Sequence, residues 1–218
     1  MERILEPELM NDAQRAQAYA QADFSTSNQL FVNQLVSDYP ALSGSVVDLG
    51  TGPGDVMIRL AKANPSLSIV AVDGSEAMIR IAKQAVQIQH LEPRITLTCA
   101  RLPGLPLPDG TFDAVLSKDL LHHLPDPNVL WQEARRLAKS RAVLYVMDLF
   151  RPESLAEVKL QVQKVTGGAD PLVQEDFFNS LCAAFTLEEV KEQVAAAGLP
   201  ASVERVSDRH MLLRGRVA

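Results

Sequence analysis

The chain of 218 residues has no excess of basic side chains. Its 21 Lys and Arg stand against 27 Asp and Glu, a formal net charge of −6, and its isoelectric point lies near 5.2. Phosphate-backbone binding draws on clustered cations that release counterions, so the footprint of a nucleic-acid partner is missing. No apolar stretch approaches the roughly 18 residues of a membrane span. The first ten residues, "MERILEPELM", carry acids where an export signal has a basic start and an apolar run. Two cysteines, Cys99 and Cys182, each inside an apolar stretch, read as buried free thiols and not as a disulfide framework. Together these absences predict a soluble, unexported protein of a reducing cytoplasm. Internal repeats, low-complexity tracts and long linkers are also lacking, and "RLPGLPLPDG" at 101–110 reads as a connection within one domain.

What is present is 47% hydrophobic residues, enough for one substantial core in a chain of this length. Short β-rich apolar runs alternate with longer segments of helical period, the pattern of a mostly parallel sheet covered on both faces. Strands are predicted over Ser45–Leu49, Ser68–Asp73, Ile95–Ala100, Phe112–Ser117 and Arg141–Asp148, and helices over Asp55–Ala63, Ser75–Gln89 and Asn128–Lys139. Ser75 and Asp126 are candidate caps or first-turn acids. "TLEEVKEQVAAAGL" reads as an amphipathic helix closed by Gly198. The runs Ser202–Ser207 and Met211–Val217, separated by "DRH", read as a hairpin.

"VVDLGTGPGDV" (46–56) stops an apolar strand at an acid and breaks into glycines. In a doubly wound sheet a ligand sits beyond the carboxyl ends of the strands, so the turn after the first strand must let backbone approach it. Gly50, Gly52 and Gly54 suit that task, and Pro53 stiffens the turn. Such a turn is also compatible with a plain tight connection. Asp48, costly to bury alone, either orients the loop amides or meets a positive ligand group. "SIVAVDGS" then ends in Asp73, about 20 residues further on, where an acid commonly binds a ribose hydroxyl pair. Asp55 at the helix start opposes an anionic pyrophosphate. A cationic nucleoside fits two carboxylates better.

These motifs, with "LPLPDGTFD" and "LHHL", resemble those of class I S-adenosylmethionine-dependent methyltransferases over roughly residues 43–150. The resemblance implies a seven-stranded, mostly parallel doubly wound α/β sheet (Rossmann-like methyltransferase fold) with a C-terminal antiparallel hairpin, in a single domain. That domain divides into an N-terminal helical lid segment (1–42), a cofactor-binding core (43–150), a helical substrate cover (151–184) and a C-terminal helix and hairpin (185–218). It implies that Asp48, Gly50, Thr51 and Gly52 contact the methionyl part of S-adenosyl-L-methionine, that Asp73 binds the ribose, and that Gly74 and Met78 lie near the adenine. Relatives usually carry an acid after the third strand that accepts from the adenine amino group. Here that place falls on Arg101, or on Ala100 or Leu102, and an arginine has no acceptor. Backbone at Arg101 and Leu102, and at Lys118, is therefore the expected contact.

In "SKDLLHHLPD" a metal site is not expected, because adjacent histidines point in different directions. In relatives with the "LHH" element the second histidine usually lies near the cofactor pocket, which makes His123 a candidate base and equally a candidate architectural residue. Asp148, ending the fifth strand, and Asp119 are further candidate bases. Tyr19, Asp23, Phe24 and Asn28 are expected near one another over the donor's methionine end. Arg151 is a candidate carboxylate binder, and Phe177 and Phe178, beside Asp176, are candidate substrate walls. For each aromatic a core role is the competing reading. The partner expected is a small-molecule methyl acceptor, with the N-terminal segment a candidate homodimer contact. Three alternatives stay open: a non-catalytic cofactor-binding regulator, an NAD-dependent oxidoreductase, and transfer of a group other than methyl.

Overall fold

Alternation along the central strands dictates the layering. In β1 (Gly44–Leu49) Val46 faces one apolar cluster and Val47 the other; in β4 (Phe112–Lys118) Ala114 and Leu116 point to the first and Val115 to the second. Period-two strands that are apolar at every position must be covered on both faces. The computed structural model describes residues 1–6 and 12–217. Its first two helices are α1 (Ala13–Gln21) and α2 (Ser25–Asp38), followed after β1 by α3 (Asp55–Ala63), β2 (Leu67–Asp73), α4 (Glu76–Ile88) and β3 (Ile95–Cys99). After β4 come a 3-10 turn at Leu121–His123, α5 (Asn128–Leu137), β5 (Ala138–Leu149), α6 (Leu155–Thr166) and α7 (Pro171–Ala183). The chain closes with α8 (Leu187–Ala196), β6 (Ala201–Arg205) and β7 (His210–Arg216).

The seven strands form one sheet in the order β3-β2-β1-β4-β5-β7-β6. β7 pairs antiparallel with both β5 and β6, and the pairs among β1 to β5 are parallel. Phe31 and Leu35 of α2 pack with Met57 and Leu60 of α3 on one face, while Trp131 and Leu137 of α5 pack with Val190 and Val194 of α8 on the other.

Most predicted boundaries shift by one or two residues, and the largest shift is at the start of β5. β5 begins at Ala138, three residues earlier than predicted, because Ala138 pairs with Phe112 and so ends α5 at Leu137. Cys99 is exposed and only Cys182 is buried. β3 is the edge strand of the sheet, and its end lacks the cover given to the central strands. Ser75 caps α4 by accepting from Met78 N at 3.2 Å, and Asp126 accepts from Asn128 N at 2.9 Å. Among the described residues no helix is long and apolar enough to cross a membrane.

α2 is held to the sheet by an edge contact of Phe31 with Tyr145, ring centroids 5.4 Å apart, and by a hydrogen bond from the Tyr145 hydroxyl to Asp38 at 2.9 Å. Packing dominates: Phe31→Ala is expected to cost about 3–5 kcal/mol in denaturant unfolding, against about 1 kcal/mol for Tyr145→Phe. Equal losses would show that the polar contact carries the docking.

Candidate functional site

The parallel strands bring the carboxyl ends of β1, β2 and β4 to one edge, and a cleft of about 1500 Å³ opens there. Its floor is the Gly50–Gly54 loop. Gly50 has φ +78°, and a Cβ there would lie 2.8 Å from Leu120 Cβ. Gly52 (φ +55°) has open space where a side chain would stand, so a ligand can reach the backbone. Gly50 N and Thr51 N both donate to Val72 O at 2.9 Å, and Gly52 N donates to Asp73 Oδ2 at 2.8 Å. The loop amides are thus oriented by β2 and not by Asp48.

Carboxylates gather around this floor. Asp48 is 2% exposed, and burial pushes its carboxyl up to about 7. Burial also raises Asp73, although the amides of Gly52 and Ser75 bind it. Asp119 takes a left-handed conformation, φ +55°, at the end of β4. Burial opposes its ionisation, but Lys118 and His210 outweigh burial and hold it below the usual carboxylate range. Lys118 Nζ bonds Asp119 Oδ2, while Asp119 Oδ1 has only His210 Nε2 at 3.5 Å. The buried Thr51 hydroxyl lies beside the Asp48 carboxyl and favours its ionised form, against the larger effect of burial.

The remaining walls hold most of the residues singled out from the sequence. Gly74, Met78, Arg101 and Leu102 line one side, and Arg101 Nε reaches back to Gly74 O at 3.4 Å. Tyr19, Phe24 and Asn28 line another, the two rings 5.0 Å apart. Burial raises the Tyr19 phenol above its ordinary range, so it stays a donor. Asn28 Nδ2 is tied to Asp55 at 2.9 Å, and Arg59 Nε reaches the same oxygen at 2.7 Å. The Asp55 charge is therefore compensated, which weakens the sequence-based argument that it repels phosphate. The strand order supplies a better distinction: reversed β7 stands between β5 and β6, where the classic dinucleotide sheet continues with a parallel strand.

Four candidates lie away from the cleft. Asp148 is 1% exposed, with Oδ2 accepting from Leu121 N and Oδ1 facing His122 Nδ1, each at 2.7 Å. Its place is beneath the 3-10 turn, where it anchors the turn. Arg151 is buried in bonds to Met1 O, Ala184 O and Glu189 Oε1. No fork is left for a ligand carboxylate. Phe177 packs with Leu149, Val158 and Leu181, and Phe178 packs against the same cluster. The α6–α7 pair spends its aromatics on its own core, and none of residues 151–184 lines the cleft among the described residues.

His123 does line the cleft. The adjacent histidine rings do not diverge as expected: their centroids are 4.0 Å apart, with the planes tilted by 40°. Glu6 joins them, and Glu6, His122 and His123 each bring one donor atom within 4.8 Å of the others. His123 Nδ1 is bonded to Glu6 Oε2, and His122 Nδ1 is engaged by Asp148. Glu6 is a wall residue that the sequence did not flag, since 117 positions separate it from His123.

The strand order, the glycine floor at the carboxyl ends and the acid ending β2 define the class I S-adenosylmethionine-dependent methyltransferase fold. Residues 47–146 match the methyltransferase domain family. The chain is 32% identical over 112 residues to a ubiquinone/menaquinone biosynthesis C-methyltransferase of Geobacter sulfurreducens, covering 51% of this chain and 44% of that one. It is 27% identical over 177 residues to the 27-O-demethylrifamycin SV methyltransferase of Amycolatopsis mediterranei, covering 80% of this chain and 61% of the relative. The chain thus spans roughly half the length of these curated relatives. Among solved structures, a SAM-dependent methyltransferase from Aquifex aeolicus superposes with a TM-score of 0.69 at 20% identity, covering 94% and 98% of the two chains.

Burial alone would lower His122, but the Asp148 carboxylate outweighs it and lifts the imidazole to about 9 from an ordinary 6.5. A raised value means stability that is complete below about pH 6.5 and lost as pH rises through about 9. Removing the cation also leaves Asp148 buried and unpaired, so His122→Gln is expected to cost about 3–5 kcal/mol near pH 6.5. Its melting temperature should fall less than that of the wild type between pH 6.5 and 9. Parallel melting curves across that interval would show that the pair carries no charge.

Proposed function

We propose that the protein transfers a methyl group from S-adenosylmethionine to a small organic molecule. The observation that carries this reading is a buried acid at the cleft floor: Asp48, lifted to about 7, stands beside a loop stripped of side chains. A cationic ligand beside it would restore its ionised form. When bound, S-adenosylmethionine supplies a methyl group on a positively charged sulfur, open to in-line displacement. Asp48 and Asp119 face that charge, and the Thr51 hydroxyl beside Asp48 adds a polar group at the methionyl end. Asp73 holds the ribose hydroxyls, and Gly52 lets the donor reach the loop. Met78 and Leu102 supply apolar surface for the adenine, with backbone at Arg101 reading its edge.

Tyr19, Phe24 and Asn28 border the space left for the acceptor. Holding acceptor and donor at about 3–3.5 Å and excluding water supplies most of the rate. His123 is the base for an acceptor that must lose a proton, a contribution of about 10²- to 10⁴-fold. Oxygen acceptors are favoured: the relative that aligns through the flanking segments is named for an O-demethylated substrate and covers 80% of this chain. The net charge of −6 argues against a nucleic-acid substrate. Free Cys99 and Cys182 support a cytoplasmic location. Exposed Ile4 and Leu5 are the apolar pair that a homodimer contact through the N-terminal segment would bury.

Titration calorimetry tests the donor site. S-adenosylmethionine is expected to bind, with affinity rising as pH increases through about 7, because the ionised Asp48 is the binding form. Asp48→Asn should flatten that dependence. Gly52→Ala should lose only about 1–2 kcal/mol of stability, the left-handed cost of a Cβ, yet weaken the donor by about tenfold or more. Binding of a nicotinamide dinucleotide in place of S-adenosylmethionine would overturn the reading.

A further inference from the structure

The buried Glu6 carboxylate has no part in the site read from the sequence, yet it touches the one histidine on the cleft wall. Its side chain is 9% exposed, and isolated burial of a carboxylate is costly. Both oxygens are satisfied: Oε2 by His123 Nδ1 and Oε1 by the Ser180 hydroxyl at 2.6 Å. Burial pushes Glu6 upward, but His123, then His122 and the Ser180 hydroxyl, outweigh it and hold the acid at about 2. Glu6 is therefore an anion at neutral pH, able only to accept.

Neighbouring residues fix its position. Ile4 N donates to Cys182 O at 3.0 Å. Arg3 spans two elements, donating through Nε to Ala183 O at 2.5 Å and through Nη2 to His122 O and Leu124 O, each at 2.9 Å. Its guanidinium also lies 3.8 Å from the centroid of the Phe185 ring. Residues 3–6 thus tie the end of α7 to the 3-10 turn that carries His123.

We propose that Glu6 is the positioning residue for His123: whenever the ring is neutral, Glu6 holds it in the Nδ1–H tautomer, so that Nε2 is the proton acceptor presented to a hydroxyl substrate. The inference rests on the methyl-transfer reading above and narrows its acceptor to a group that must shed a proton. In that step the hydroxyl proton passes to His123 Nε2. The acceptor oxygen forms its bond to the methyl carbon as the carbon–sulfur bond breaks, with the bonding pair leaving on sulfur. The imidazolium then stands against the Glu6 carboxylate, which stabilises it until the proton is released to water. The arrangement follows the logic of a carboxylate that orients a catalytic imidazole, here reaching the histidine from the opposite end of the chain.

Nitrogen-15 NMR of the imidazoles tests it, with His123 assigned by His123→Asn. The neutral wild-type ring should show protonated Nδ1 and unprotonated Nε2. In Glu6→Ala the pattern should move toward the Nε2–H form that free imidazole side chains favour. Glu6→Gln, whose amide oxygen still accepts, should retain most of the Nδ1–H form, and it supplies the comparison if the alanine variant does not fold. An Nε2–H ring in the wild type, or a tautomer unmoved by Glu6→Ala, overturns the proposal. Failure of the wild type to bind S-adenosylmethionine would sink the methyl-transfer reading and leave the tautomer result standing, so the two failures are separable.

Discussion

Three backbone amides sewn to the end of β2 hold the candidate site in shape. Gly50 and Thr51 share the Val72 carbonyl, and Gly52 takes the Asp73 carboxylate. This seam is available only because β1 and β2 run parallel in register, with Leu49 opposite Val72, so that the turn leaving one strand falls beside the last residues of the other. Break the register and the loop loses its anchors, the floor of the cleft and the placement of Asp48 together. The glycines matter at the same point. At Gly50 a side chain would collide with Leu120, whose neighbour Leu121 begins the histidine-bearing turn, and so the glycine floor and the His123 wall of the cleft share one packing contact.

Electrostatics follow from that geometry. Strand ends that converge bring Asp48, Asp73 and Asp119 into one acidic rim, in which Lys118 and His210 outweigh burial at Asp119 while Lys118 only partly offsets it at Asp48. Such a rim is costly when dry, which is why burial raises both Asp48 and Asp73, and it favours a partner that brings positive charge. The His122–Asp148 pair lies behind the rim and is fully satisfied within the protein. It keeps the turn rigid while His123, one residue on, stays at the cleft.

The flanking segments act through contacts and not as separate layers. α1 docks on α7 through Arg15, paired with Glu175 at 2.9 Å and with Asp176, and on Met78 through Ala16 and Tyr19. α7 in turn is joined to the cleft wall by Ser180, whose hydroxyl bonds Glu6. The segment 151–184 supports the wall from behind.

Sequence alone determined the layered sheet, the positions of β1, β2 and β4, and the cleft-floor residues from Asp48 to Asp73. These depend on local features: period-two apolar runs, glycines in a strand-to-helix turn, and an acid at a fixed interval along the chain. Residues whose surroundings are assembled from distant segments were not legible in this way. Asp148 has the same residue type and strand-end position as Asp73, but the turn at Leu121 covers it. Phe177 shows an aromatic beside an acid, as a substrate wall would, yet the α6–α7 interface claims it. Cys99 sits in an apolar run, and only the strand order leaves it on an edge. Glu6 carries no motif at all; tertiary structure alone brings it to His123, because a carboxylate's task is set by the group it meets, and here that group lies 117 residues away.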